Sequence, residues 1–303
     1  MLSVISALPM FFQTCVKGLL TCLLAFAVLL GLSLPAYADN KTDKPVLVSV
    51  HPLALLIQSA WPNLKVSSLV SANQSPHDFV LKPSDMKRIH SADAVIWMGK
   101  EFEPYLTKVL RNKDSVDLAS VLDKDAHSEH DHETHAADHT DHAHDPHLWL
   151  DPNRIIGMLT LVKQQLDLPQ PNTFIRNYQN WLIKAQAALK PRQDVGFVSF
   201  HDAFREWVTA FNLNQLMVVT SNPEKPVGTR HVVQVRNVLA SGQAACLFVE
   251  PQFQSRIVKK LHQGLEVKVV KIDPMASDYA IADGNFMGFY DNLLSNFTQC
   301  FNQ

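Results

Sequence analysis

The sequence contains no run of lysine and arginine, no His-Glu-x-x-His segment and only four cysteines in 303 residues. Without a clustered basic stretch there is no electrostatic footprint for nucleic acid, and the formal net charge of −2 is spread in both signs along the chain. Without His-Glu-x-x-His or a comparable acid–base motif, a zinc hydrolase lacks its paired ligands and general base, so no enzyme activity is expected. What is present is globular in balance: 47% hydrophobic and 18% charged residues, in a chain long enough for one large or two ordinary domains.

The cysteines divide by position. Cys15 and Cys22 lie in an N-terminal segment whose first charge is Lys17, followed by the apolar run "GLLTCLLAFAVLLGLSL" and the small-residue site "AYA" before Asp39. The run is close to the roughly 20 apolar residues that span a bilayer. The Ala36-x-Ala38 site and the abrupt polar continuation favour a cleavable export signal over residues 1–38, and hence an exported protein. Thr21 before Cys22 argues against a lipidated cysteine. Cleavage leaves Cys246, in the strand-like "AACLFVEP", and Cys300 near the C-terminus. Two cysteines in an exported chain favour a disulfide over two buried free thiols.

From Asp39 onward short β-rich runs alternate with helical stretches. "PVLVSVHP", "KVSSLVSA" and "DAVIWMG" read as strands, with helices at "LALLIQSAW", at "PSDMKRIHSA" with Ser84 as N-cap, and at "EPYLTKVLRN". The alternation returns later: "VGFVSFHD", "LMVVTSN", "AACLFVEP" and "EVKVVKIDP" are strand-like, "HVVQVRNVLAS" and "SRIVKKLHQ" helical. Such alternation predicts an α/β fold with mostly parallel sheets covered by helices. Between the halves, Phe174, Tyr178, Trp181, Leu182, Ala185 and Leu189 recur at three- and four-residue steps, the pattern of an amphipathic helix bracketed by Pro171 and Pro191. This gives an N-terminal lobe over 39–170, a stiff linker helix over 171–191 and a C-terminal lobe over 192–303.

Fourteen histidines carry the chemical signal, and eight of them fall between Asp123 and Pro152. Seven of these (His127, His130, His132, His135, His139, His142 and His144) sit among Asp and Glu in a loop, 123–146, almost without aliphatic or aromatic residues. Such a tract cannot bury enough surface to offset its ordering entropy, so it is expected to be mobile when metal-free. Its interchangeable imidazoles suit weak capture of several ions, weakening as pH falls and the rings protonate. His77, His147 and His201 stand apart. Each follows a predicted strand or the tract, and ligands of open α/β sheets gather beyond the carboxyl ends of strands. Asp273, in "VVKIDPM", occupies an equivalent position. Three imidazoles with a carboxylate or water form a donor set suited to tetrahedral Zn²⁺. His51 could line the cleft or serve structurally; His90, His231 and His262 read as surface residues. Asp202 is a candidate for orienting a ligand imidazole or for an ordinary turn role, while Glu250 in "FVEPQF" reads as structure.

The stretches "SPHDFVLKPSDMKRIHSADAVIWMG", "HLWLDP", "VSFHDAF" and "FVEPQF" together resemble the metal-binding solute receptors of bacterial ABC importers, most closely their periplasmic zinc branch, the ZnuA type. The resemblance covers essentially the whole chain after residue 38. It implies two α/β lobes joined by a long rigid helix, with the metal in the cleft between them. It also implies His77, His147 and His201 as ligands, a Cys246–Cys300 disulfide and a His-rich insertion acting as auxiliary collector or sensor. Some zinc receptors place a Glu just before the first histidine; here that residue is Pro76. The fourth ligand is therefore Asp273, as in manganese-type members, or a water. The implied role is zinc capture and delivery to a membrane permease and its ATPase, by a monomer. A manganese or other divalent-metal receptor, or a periplasmic zinc buffer or chaperone, is the alternative.

Overall fold

A computed structural model describes residues 45–123, 146–253 and 256–302. The expected export signal, residues 1–38, and the seven tract histidines lie outside the described residues. Strand β1 (Pro45–Val50) runs directly into helix α1 (His51–Ala60), with Pro52 in the first turn where a missing N–H costs nothing. Then come β2 (Lys65–Val70), α2 (Pro83–Ser91), β3 (Ala94–Trp97), α3 (Pro104–Thr107), β4 (Ser115–Asp117) and α4 (Ser120–Asp123). The four strands form one parallel sheet in the order β2-β1-β3-β4.

Two helices follow, α5 (Ile155–Leu166) and α6 (Asn172–Leu189), before the second half begins. This half comprises β5 (Phe197–His201), α7 (Arg205–Phe211), β6 (Gln215–Thr220), α8 (Thr229–Ala240), β7 (Cys246–Val249), α9 (Arg256–His262), β8 (Lys268–Lys271) and α10 (Phe286–Phe301). Its sheet repeats the first in order and direction, β6-β5-β7-β8, all parallel. Each order reverses once beside its first strand, and the crevice beyond the strand ends at such a reversal is where open sheets bind ligands.

Two expectations change at this level. Ser84 is not the N-cap of α2; Pro83 already occupies the first turn, and Asp85 Oδ2 accepts from the backbone N–H of Lys82 at 2.9 Å. Pro83 takes the first helical φ two residues before Asp85, where a Ser84 cap would have begun the helix. The helix expected over "EPYLTKVLRN" closes after four residues.

Helix α6, about 27 Å long at 1.5 Å per residue, buries Phe174, Tyr178, Trp181, Ala185 and Leu189 on one stripe. The stripe meets α10, whose buried face carries Phe286, Phe289, Tyr290, Leu293, Phe297 and Phe301. One continuous core runs from β1 and α1 through α6 to Phe197, Phe248 and α10, so the two sheets share their inner hydrophobic layer. Two smaller clusters cover the sheets' other faces. The Cys246–Cys300 disulfide ties β7 to the last turn of α10 across a sequence separation of 54. Closing a loop of that size removes unfolded-state entropy equivalent to about 4 kcal/mol in the chain-entropy account. Among the described residues no helix is long and apolar enough to cross a membrane.

Candidate metal centre

Three elements bring one histidine each to a common point. His201 is the last residue of β5, fixed by a strand whose five residues are all buried. His77 sits in the 71–82 connection between β2 and α2, beside Ser75 and Pro76. His147 immediately precedes a 3-10 turn, Leu148–Leu150, and buried hydroxyls hold the segment that follows it. Tyr290 of α10 donates to Trp149 O at 2.6 Å and Tyr178 of α6 donates to Pro152 O at 2.7 Å. Trp149 Nε1 donates to Pro274 O at 2.7 Å, linking the His147 turn to the loop after β8. Asp151 closes the turn: it accepts from Asn153 N at 2.9 Å and pairs with Arg154 at 2.8 Å. "HLWLDP" is thus a folded unit that aims His147.

The imidazole centroids lie 4.8 Å (His77–His201), 5.0 Å (His147–His201) and 5.4 Å (His77–His147) apart. One ring nitrogen from each lies within 4.8 Å of the others. A tetrahedral zinc with Zn–N near 2.0–2.1 Å needs N···N spacings of about 3.3 Å, within reach of small side-chain rotations. His147 and His201 are 4% and 3% exposed. Apolar Phe253, Pro274 and Met275 line the cavity beside polar Ser75, Glu250 and Gln252.

Glu250 orients the site, a role its sequence context did not suggest. Its Oε1 lies 3.0 Å from His201 Nδ1, both groups being buried. A carboxylate accepts, so Nδ1 carries the proton and Nε2 presents its lone pair; that Nε2 is buried with no hydrogen-bond partner. Such a nitrogen is costly to bury unless it meets a cation or a donor. Sheet register explains the pairing: Ser199 of β5 is opposite Phe248 of β7, and two residues on, His201 meets Glu250. Asp202 turns away and pairs with Arg205 at the surface.

Asp273 is not among the three clustered histidines. Its Oδ1 accepts from Gln252 Nε2 at 2.7 Å and from Met275 N at 2.9 Å; its Oδ2 accepts from Ser277 N and Ser277 Oγ, each at 2.6 Å. A carboxylate offers about four acceptor sites, and here one holds Gln252 and three shape a turn in which Ala276 takes φ +54°. His51 also stays out of the cluster; its Nε2 donates to Tyr279 O at 2.8 Å, tying the start of α1 to the segment after β8. His90 and His231 bond to the carbonyls of Met86 and Val218.

Comparison with known proteins adds an independent line. Residues 46–300 match the family described as "ZnuA: Zinc-uptake complex component A periplasmic". A relative from Yersinia pestis, "High-affinity zinc uptake system protein ZnuA", is 30% identical over 321 residues, spanning 94% of this chain and 98% of its own length. In fold, a solved ZnuA structure matches with TM-score 0.65 at 19% identity, over 84% of this chain and 99% of that one. FpvC from Pseudomonas aeruginosa, solved with Mn²⁺, matches with TM-score 0.67 at 15% identity, over 86% and 98%. Twin parallel sheets of identical order, a buried three-histidine cluster, the Cys246–Cys300 bridge and a match across nearly all the described chain lead to one assignment: the chain belongs to the ZnuA family of periplasmic zinc-uptake components.

Proposed function

We propose that this protein captures one Zn²⁺ ion with His77, His147 and His201 and delivers it to an ABC-type permease and its ATPase. The observation that carries the reading is the triad itself: three buried or half-buried imidazoles from separate segments, one of them held by a carboxylate. Three neutral nitrogen donors beside one carboxylate favour borderline Zn²⁺ over Mn²⁺, which prefers harder oxygen sets. The role is transport rather than catalysis. In this reading residues 1–38 are an export signal removed in the periplasm. The lobes span 39–170 and 192–303, joined by the 171–191 helix, and opening and closing of the cleft between them gates capture and release. The tract histidines, His127 to His144, form a weaker collecting arm upstream of His147.

Calorimetric zinc titration of the chain from Asp39, beside a variant lacking 126–145, tests this division. One tight equivalent is expected in both, with weaker equivalents only in the longer chain. Loss of the tight equivalent on deletion would overturn it, as would tighter binding of Mn²⁺ than of Zn²⁺.

A further inference from the structure

Gln252 lies two residues beyond Glu250 and lines the same cavity as the three imidazoles. Its Nε2 donates to Asp273 Oδ1 at 2.7 Å and approaches Ala72 O, in the other half of the chain, at 3.5 Å. Both partners are acceptors only, which fixes the amide: NH₂ faces them, and Oε1 is the oxygen on the other side. That Oε1 is buried and has no hydrogen-bond partner within the protein. An amide oxygen removed from water is costly unless something donates to it. Here the neighbouring chemistry is a site for a cation, and Asp273 is committed to four hydrogen bonds elsewhere.

Three imidazole nitrogens fill three corners of a tetrahedral zinc, and the fourth needs a further donor. We propose that this corner is taken by a water whose proton is accepted by Gln252 Oε1, making Gln252 the positioning residue for the fourth ligand. The inference rests on the zinc reading above. A metal-bound water is polarised and is a stronger donor than free water, matching an acceptor otherwise unsatisfied. The arrangement also has a consequence for delivery. A water held by a neutral amide adds no charge to the ion's surroundings and exchanges readily, whereas a ligating carboxylate would bind Zn²⁺ more firmly. Pro76 and Asp273 are thereby both compatible with a complete site: neither supplies the fourth donor, and Gln252 holds the donor that does.

The test uses the whole chain from Asp39 loaded with one equivalent of Co²⁺ in place of Zn²⁺. Its high-spin electron paramagnetic resonance is recorded in ordinary water and in ¹⁷O-enriched water. Line broadening by ¹⁷O is expected for the wild type and for Asp273→Asn, which disturbs the turn but leaves Gln252 Oε1 in place. In Gln252→Leu the broadening is expected to fall or the cobalt d–d spectrum to shift, with zinc affinity about tenfold weaker, the low end for partners that act through a metal ligand. Gln252→Ala repeats the measurement should the leucine variant fold poorly. Absence of broadening in the wild type overturns the proposal, as does a glutamine variant indistinguishable from wild type in both spectrum and affinity. Failure of the wild type to take up Co²⁺ or Zn²⁺ at all would instead remove the zinc reading itself.

Discussion

The two halves of the molecule share one strand order yet present their histidines in opposite ways. In the second half the metal-facing side chain is part of the sheet: His201 ends β5, and its partner Glu250 follows β7, the adjacent strand. In the first half neither His77 nor His147 belongs to a strand; both stand on connections, and the segment after His147 is steadied from outside by Tyr178, Tyr290 and Pro274. One side of the site is therefore preorganised by sheet hydrogen bonding, while the other is built on connections, His147 on the folded "HLWLDP" unit and His77 on the 71–82 segment.

The largest expected effect breaks the rigid side. His201→Ala should weaken zinc binding by roughly a thousandfold, and His77→Ala by roughly a hundredfold, because the chain near His77 can rearrange to admit a water. Competition with a chromophoric chelator measures both, and equal losses would remove the asymmetry. A smaller effect sharpens it. Glu250→Gln should cost about 10–100-fold in affinity through loss of the imidazole's fixed tautomer, whereas Asp202→Asn, at the surface pair with Arg205, should leave affinity unchanged. The reverse ranking would place the orienting carboxylate in the wrong residue.

A separate effect, on stability rather than affinity, concerns the first half. Glu103 is 1% exposed and accepts from Met98 N at 2.7 Å, with Tyr105 Oη at 3.4 Å and Asp117 nearby. Burial pushes its carboxyl up to about 7, with the Asp117 charge adding to the shift. A folded-state value above the unfolded one means the folded protein holds the proton more tightly. The associated stability is fully present below about pH 4.5 and is lost as pH rises through 7. The difference corresponds to at most about 3 kcal/mol. Glu103→Gln, which keeps an acceptor for Met98, should unfold at a higher temperature than wild type at pH 8 and at nearly the same temperature at pH 5. A pH-independent difference would contradict this account.

Much of this was legible in the sequence for physical reasons. Apolar runs alternating with 3.6-residue periodicity gave the parallel α/β halves, and the aromatic stripe of α6 matched its buried face almost residue for residue, with Leu182 only half-buried. His201 stood out because it ends an apolar strand. What stayed hidden depends on which strands become neighbours. His201 and Glu250 are 49 residues apart, and only the β5–β7 pairing brings them together, so "FVEPQF" looked purely structural. Asp273 had the position of a ligand, but whether its oxygens face the site or the turn after it is decided by Met275 N and Ser277, which spacing does not reveal. The helix at Pro104–Thr107 stops after four residues, and the chain beyond it continues in turns, with Leu110 N bonded to Leu106 O at 2.9 Å and Lys113 N to Leu110 O at 3.0 Å.

The most direct test of the central claim is the zinc K-edge X-ray absorption spectrum of the one-to-one complex, recorded on the variant lacking 126–145. The account predicts three imidazole nitrogens and one further light donor, with Zn–N near 2.0–2.1 Å. A spectrum with fewer than three imidazoles, or with a carboxylate in place of one, would contradict it.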